Sequence, residues 1–262
     1  MTLSSETETA TDAEVSFRVP PFAASCYEAA AKSWTAACEH PFLTSLLDGS
    51  LAPEFFRFYQ MQDARDLEAY ADACSLISVR MDDPENKLWF IDAARLALVV
   101  ERELHAEYGR KLGYSPQDVA RLVLTPNNRA YQNHLLTACT KGTLLEAVAA
   151  LAPCPWLYAE VGRSVSGRLS NLAPDHPYAD WLRTYADPAF VTYTNELLFL
   201  LEYLAERHPD EEHRSAAKEA FQLSTRYEFM FWDQAWTLQG WPPTGDSTAE
   251  RDRAAGSEPE RG

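Results

Sequence analysis

The stretch DPAFVTYTNELLFLLEYL, residues 187–204, decides the fold class. Its first two residues, Asp187 and Pro188, are typical of a helix start, because aspartate caps the first turn and proline suits the first helical position. Apolar residues then recur at helical spacing, at Leu197, Leu198, Leu200, Leu201 and Leu204. The segment is therefore predicted to be an amphipathic helix that packs against other helices.

Helix boundaries of the same kind recur along the chain. Asp83-Pro84 repeats the cap-and-proline pattern, and Thr143-Leu-Leu-Glu146 is a capping box. No segment shows the apolar-polar alternation of a half-buried strand. The sequence predicts a single-domain, all-α bundle of seven to nine helices, at 21–39, 41–48, 52–81, 84–112, 116–122, 126–141, 143–170, 177–206 with a break at Pro188, and 210–239.

The two ends of the chain differ in composition from this helical region. Residues 1–18 are rich in Thr, Glu and Ala, and residues 242–262 are polar and charged. Neither end has enough apolar surface to bury, so both are predicted to be disordered arms. One domain, residues 19–241, lies between them without an internal repeat or linker.

Charge and cysteine usage restrict the function classes. The chain carries 39 acidic and 23 basic residues, a formal charge of −16, which disfavours binding to nucleic acid or to anionic membranes. Its five cysteines form no C-x-x-C pair, and the polar, acidic N-terminus does not resemble a signal peptide. The longest uncharged apolar stretch, residues 147–159, is too short to span a bilayer. We therefore expect a soluble, cytoplasmic protein with free thiols.

The most unusual local feature is a cysteine between two prolines, in LAPCPWLY at residues 151–158. Each proline removes a backbone donor from an otherwise helical pattern, so a kink is predicted that holds Cys154 at a fixed angle. Tyr158 follows four residues later and shares the helix face of the thiol. Cys154 is therefore a candidate nucleophile, although a small core residue beside a packing kink is an equally open interpretation.

Five segments, in this order along the chain, carry a resemblance to a known family. They are HPFLTSLLDGSL at 40–51, FRFYQMQD at 56–63, PCPWLYAEVG at 153–162, YADWLRTY at 178–185 and YEFMFWD at 227–233. Together they resemble the TenA (thiaminase II-like) family, in its cysteine-bearing branch. The resemblance covers roughly residues 20–241 and leaves out both ends.

This resemblance implies a haem-oxygenase-like bundle without haem or any other cofactor, usually a homotetramer. It implies hydrolysis of the C–N bond at a pyrimidine methylene, which releases thiazole from thiamine or ammonia from aminomethylpyrimidine salvage products. By position, Cys154 would attack the pyrimidine ring, Glu228 would protonate the ring nitrogen and Asp63 would bind the amino group.

The pocket implied by the resemblance would be shaped by Tyr131, Tyr158 and Tyr185. The acid needs a carboxyl pKa raised towards neutrality, which an apolar surround can provide. Phe229, Phe231 and Trp232, which directly follow Glu228, are candidates for that surround.

One position departs from the family pattern. The segment usually continues Q-D-x-x-Y-L, whereas here Gln62-Asp63-Ala-Arg65-Asp66 places a carboxylate where the tyrosine stands. Carboxylates at i and i+3 share one helix face and repel, so Asp66 predicts altered substrate binding with an aminated or cationic ligand. The alternative is that Asp66 pairs with Arg65 or another basic group outside the pocket.

Two other functions remain open at this stage. Glu101 and His105, at i and i+4, could join Asp63, Asp66 and Glu228 in a non-haem iron oxidase site, although hydrogen bonding inside the bundle is the commoner role of such a pair. The late histidines, His208 and His213, are predicted to lie in an exposed turn rather than in such a site. A non-catalytic pyrimidine-binding homologue is the least favoured alternative, because the three proposed working residues are all present.

Overall fold

The fold was obtained as a computed structural model, which describes residues 17–243 except 168, 170 and 171, and the backbone alone at 100–105. The described part contains eleven α-helices and no strand, which confirms the all-α prediction. They are α1 Pro21–Cys38, α2 Pro41–Asp48, α3 Pro53–Arg80, α4 Pro84–Leu112, α5 Pro116–Arg121, α6 Pro126–Lys141, α7 Leu144–Leu151, α8 Pro153–Ser166, α9 Ala179–Ala186, α10 Pro188–Arg207 and α11 Glu211–Trp236. The predicted arms fall almost wholly outside the described residues.

Local chemistry explains most of these boundaries. Eight of the eleven helices begin at a proline, where the missing backbone N–H would have had no partner in the helix. The side chain of Asp83 caps α4 by accepting from the Asn86 backbone N–H at 3.0 Å. The predicted capping box is present at α7, where Thr143 and Glu146 exchange side-chain to backbone hydrogen bonds.

The helix predicted at 143–170 is divided into α7 and α8 at the prolines that flank Cys154. Ala152, the residue that separates α7 from α8, keeps right-handed helical angles (φ −60°, ψ −35°). The chain therefore continues in nearly the same direction. Leu144–Ser166 is thus long and apolar enough to cross a membrane by length and composition, but 78% of its most apolar window is buried inside the protein. That degree of burial is typical of a core helix.

The helices pack around α7 and α11. Helices α3 and α4 form a long antiparallel pair, and α11 contacts α1, α7, α6, α3 and α8. Where α3 meets α11, the fully buried rings of Tyr59 and Trp232 lie 5.5 Å apart and Phe42 stacks on Trp232 at the same distance. This arrangement brings the middle of α3, the first turn of α8 and the last third of α11 to one place in the bundle.

Gly162 allows α8 to approach the end of α9 very closely. A Cβ atom at this position would lie 2.0 Å from the carbonyl oxygen of Tyr185, far inside van der Waals contact. The contact holds Tyr185 against α8, beside the residues that follow Cys154. The glycine that ends the PCPWLYAEVG segment is therefore needed for helix contact.

Candidate active site

A cavity lies between α3, α4, α8, α9, α10 and α11, and most of its wall is apolar. The wall is formed by Asp63, Asp66, Leu67, Tyr70, Ala93, Leu96, Ala97, Cys154, Pro155, Tyr158, Thr184, Tyr185, Phe190, Tyr193, Glu228 and Phe231. Six of the seven residues predicted for the site, all but Tyr131, are among them. Residues up to 168 positions apart in sequence therefore meet in one cavity.

Cys154 lies in the first turn of α8, where the flanking prolines fix the backbone, and its thiol faces the cavity. Burial raises the pKa of this thiol well above its ordinary value, and the nearby carboxylates of Glu228, Asp66 and Asp63 raise it further. The resting thiol is thus protonated. It can act as a nucleophile only if a neighbouring base takes its proton.

Glu228 is a candidate for this base. It lies on α11, it is 2% exposed, and the Cys154 thiol lies close enough to lower the pKa of its carboxyl group. The Tyr131 hydroxyl, from α6, donates to Glu228 Oε1 at 2.6 Å. Burial raises the pKa of Glu228 to about 7, while the hydrogen bond from Tyr131 and the nearby Cys154 thiol act in the opposite direction. At neutral pH this carboxyl can both accept and release a proton.

Asp63 and Asp66 lie one turn apart on α3, which is continuous through both, and both are buried at 5% and 6% exposure. Burial raises the pKa of Asp66 well above its ordinary value, and the charges of Glu228 and Asp63 add to the effect. Among the described side chains, none donates a hydrogen bond to Asp66 Oδ1. Arg65 instead pairs with Glu68 at 2.9 Å on the outer face of α3.

The three tyrosines predicted for the pocket occupy different positions. Tyr158 and Tyr185 line the wall, with their rings in edge-to-face contact at 4.7 Å. The Tyr158 hydroxyl is also within 2.9 Å of the Tyr59 hydroxyl, which fixes its orientation. Tyr131 lies beside Glu228 rather than in the wall, and its contact with the site is the hydrogen bond to that carboxyl.

Several wall residues were not anticipated from the sequence. The hydroxyls of Tyr70 and Tyr193, two residues of the wall, are hydrogen-bonded at 2.9 Å, and the Phe190 ring lies 6.0 Å from the Tyr193 ring. Tyr70 follows Asp66 by four residues, and this spacing placed it on the same helix face. No local signal marks Tyr193, because it comes to the cavity only through the packing of α10.

The apolar surround of Glu228 differs in part from the prediction. Phe231 lines the cavity, and Trp232 packs behind it against Tyr158 at 5.2 Å. Phe229 points elsewhere and packs edge-to-face on His40 at 5.1 Å. A residue adjacent to Glu228 on a helix lies about 100° around the axis, which explains why Phe229 does not share its environment.

The side chains of Glu101 and His105 lie outside the described part of the structure. The carboxylate and histidine pair of the iron oxidase hypothesis therefore stays a prediction from the sequence. Among the described side chains, one group of three or more His, Cys, Asp or Glu ligands is close enough to hold a single metal ion, and it is His208, Asp210 and His213. Asp63, Asp66 and Glu228 do not form such a group.

Comparisons with known proteins agree with this architecture. Residues 27–238 match the TENA/THI-4/PQQC family. The chain is 32% identical over 225 residues to a protein named aminopyrimidine aminohydrolase from Halalkalibacterium halodurans, covering 86% of this chain and 99% of that one. It is also 32% identical to the aminopyrimidine aminohydrolase of Bacillus subtilis, over 84% of this chain and 92% of that one.

A solved structure shows the same fold. The TenA homologue from P. horikoshii OT3 superposes with a TM-score of 0.74 at 26% identity, covering 82% of this chain and 98% of that one. Since the family match spans most of the described helices and the relatives are covered almost end to end, the chain belongs to the TENA/THI-4/PQQC family.

Proposed function

We propose that this protein is an aminopyrimidine aminohydrolase of the thiaminase II type, which hydrolyses the C–N bond at a pyrimidine methylene in thiamine salvage. The observation that carries the proposal is the cavity that Cys154, Glu228, Asp63 and Asp66 line together, with the Cys154 thiol and the buried Glu228 carboxyl near enough to shift each other's pKa. The names of the relatives from H. halodurans and B. subtilis support the same activity.

The first step uses the contact between thiol and carboxyl. Glu228 takes the Cys154 proton and passes it to a ring nitrogen of the pyrimidine, while the sulfur forms a bond to the adjacent ring carbon. One proton is thus moved from the nucleophile to the ring, and the ring becomes electrophilic as it is attacked. A carboxyl pKa of about 7 suits both halves of this transfer.

The second step breaks the C–N bond. The lone pair of the ring amino group expels ammonia from the methylene and leaves an exocyclic double bond and an iminium, whose positive charge Asp63 stabilises. Water then adds to the methylene, and its spare proton goes to the ammonia. The C–S bond breaks, and the ring proton returns through Glu228 to the sulfur, so that hydroxymethylpyrimidine and ammonium are the products.

Asp66 adds a preference for charged substrates. Its carboxyl is buried beside two other acids, so a protonated aminomethyl group next to it restores the ionised form and makes an ion pair. The product has a neutral hydroxyl in place of the ammonium and loses that pair, which favours its release. The substrate class is therefore a pyrimidine with a cationic group at the methylene.

The activity is tested by mass spectrometry of products after incubation in ¹⁸O-labelled water with thiamine, aminomethylpyrimidine or formylaminomethylpyrimidine. We expect labelled hydroxymethylpyrimidine from at least one substrate with the wild type, and none with Cys154→Ser. If no substrate yields the labelled alcohol, the proposed function is wrong.

The role of Asp66 is tested by comparing kcat/KM among the same substrates. Asp66→Asn keeps the size and removes the charge, so the cationic aminomethyl compound should lose more activity than the neutral formylaminomethyl compound, mainly through KM. Asp66→Tyr, which restores the family pattern, should shift the ratios towards the usual family substrates. Unchanged ratios in both variants would show that the position is structural.

We also place the protein in the cytoplasm as a homo-oligomer, a dimer or tetramer. All five cysteines are free, which fits a reducing compartment. Exposed apolar side chains recur along the outer face of α4 and the adjoining α10: Leu88, Ile91, Leu98, Val99 and Phe199. A stripe of this kind on a strongly acidic protein fits contact with a second copy. Analytical ultracentrifugation of the wild type and Ile91→Glu, with Val123→Glu as control, tests this assembly.

A further inference from the structure

The turn between α10 and α11 brings two histidines and an aspartate together. His208 follows the last residue of α10, and Asp210 caps α11 by accepting from the His213 backbone N–H at 3.0 Å. His213 Nδ1 lies 2.6 Å from Asp210 Oδ1, and the two imidazole rings are 5.5 Å apart. One ligand atom from each of the three side chains lies within 4.8 Å of the other two.

We propose that this turn binds a divalent transition metal of the zinc class. Imidazole nitrogen and carboxylate oxygen are ligands that Zn²⁺ takes at about 2.0–2.2 Å, so tetrahedral ligands are separated by about 3.4 Å. His213 and Asp210 are 43% and 48% exposed and can close the remaining gap by side-chain rotation. Water completes the coordination. Mg²⁺ and Ca²⁺ are disfavoured because two of the three ligands are nitrogen.

The surroundings of the turn are compatible with a cation. Glu211 and Glu212 add negative charge in the first turn of α11. The nearby guanidinium groups are directed to other partners, since Arg207 stacks on the Tyr203 ring at 3.4 Å and Arg214 donates to the Ala205 carbonyl at 2.8 Å. The carboxyl end of α10 also favours positive charge.

This metal site is separate from the cavity. Glu228 lies fifteen residues beyond His213 on the same helix, which corresponds to about 22 Å of helix axis. A bound metal joins the end of α10 to the first turn of α11 and has no ligand in the cavity. We therefore expect metal binding to stabilise the turn and leave hydrolysis unchanged.

The test is isothermal titration calorimetry of Zn²⁺ into the full chain. The protein is prepared without a polyhistidine tag, and bound metal is first removed with a chelator. We expect one Zn²⁺ per chain, a higher Tm with the metal, and no comparable binding of Mg²⁺. His208→Gln, His213→Gln and Asp210→Asn should each weaken binding roughly tenfold or more, since each removes one of three ligands. Asparagine is used at 210 because it retains the helix cap. Glu212→Gln is the matched control, with nearly wild-type affinity.

Circular dichroism of the metal-free variants confirms that they are folded. Absence of Zn²⁺ binding to the wild type, or equal binding to the wild type and the folded His208→Gln/His213→Gln double variant, overturns the proposal. Both results are independent of whether the chain hydrolyses a pyrimidine.

Discussion

Replacing Glu228 with glutamine should lower activity and raise stability at the same time. Burial raises the pKa of this carboxyl from 4.5 to about 7. Since each tenfold change in acidity is worth about 1.36 kcal/mol, ionising Glu228 in the folded protein costs about 3 kcal/mol more than in the unfolded chain. Glutamine keeps an oxygen that accepts from Tyr131 and removes this cost.

The size of the stability difference between Glu228→Gln and the wild type depends on pH. Between pH 4.5 and 7 the folded state holds the Glu228 proton more tightly than the unfolded chain, so the stability of the wild type falls as pH rises through this window. At pH 8 we therefore expect Glu228→Gln to unfold at a Tm several degrees higher than the wild type, up to about 3 kcal/mol in free energy of unfolding. Near pH 4 the difference should nearly vanish.

Activity should change in the opposite direction, with kcat/KM falling about 10²- to 10⁴-fold. In the wild type, kcat/KM should rise with pH through an apparent pKa near 7, because Glu228 must be ionised to take the thiol proton. Differential scanning calorimetry at both pH values and steady-state kinetics measure these effects. Glu219→Gln, on the exposed face of the same helix, is the control. Near wild-type kcat/KM in Glu228→Gln, or a Tm difference between variant and wild type that is the same at pH 4 and pH 8, would refute the reasoning.

Three further substitutions test the neighbours of Glu228. Cys154→Ser should lower kcat by several orders of magnitude with almost unchanged stability, and near wild-type turnover would rule out Cys154 as nucleophile. Tyr131→Phe removes a hydrogen bond that lowers the Glu228 pKa, so the midpoint of the kcat/KM profile should move to higher pH; a shift to lower pH would contradict this. Gly162→Ala should lower the free energy of unfolding by about 1–3 kcal/mol, measured in urea, because its Cβ meets the Tyr185 carbonyl. Gly167→Ala, in open space, is its control, and equal losses in both would exclude the steric explanation.

The helix boundaries could be predicted because they depend on local chemistry. Asp83-Pro84 and Thr143-Leu-Leu-Glu146 are contained within one helical turn, and the structure places α4 and α7 where they indicate. The count of seven to nine was too low for the described part, which has eleven helices. The prolines around Cys154 indicated a kink, but the sequence does not show that they divide the segment into α7 and α8.

The cavity could be predicted only in part. The i and i+3 spacing places Asp63 and Asp66 on one face of α3, but it does not show that this face is buried while the adjacent Arg65 is partly exposed. The assignment of Glu228 to a site with Cys154 rests on the family resemblance, because no local sequence pattern relates residues that are 74 positions apart. Tyr193 was missed for the same reason, since its partner Tyr70 is 123 positions away.

Burial and nearby negative charge together determine the protonation of Glu228, Asp66 and the Cys154 thiol. Each of Glu228, Asp66 and Cys154 is held towards its neutral form by burial, and Asp66 and Cys154 also by the other negative charges in the cavity. A cationic group that enters the cavity reverses these effects at once, because it stabilises the ionised carboxylates and the thiolate together. If the proposed function holds, substrate charge is thus coupled to activation of the nucleophile, because a cationic group beside the carboxylates favours loss of the Cys154 proton.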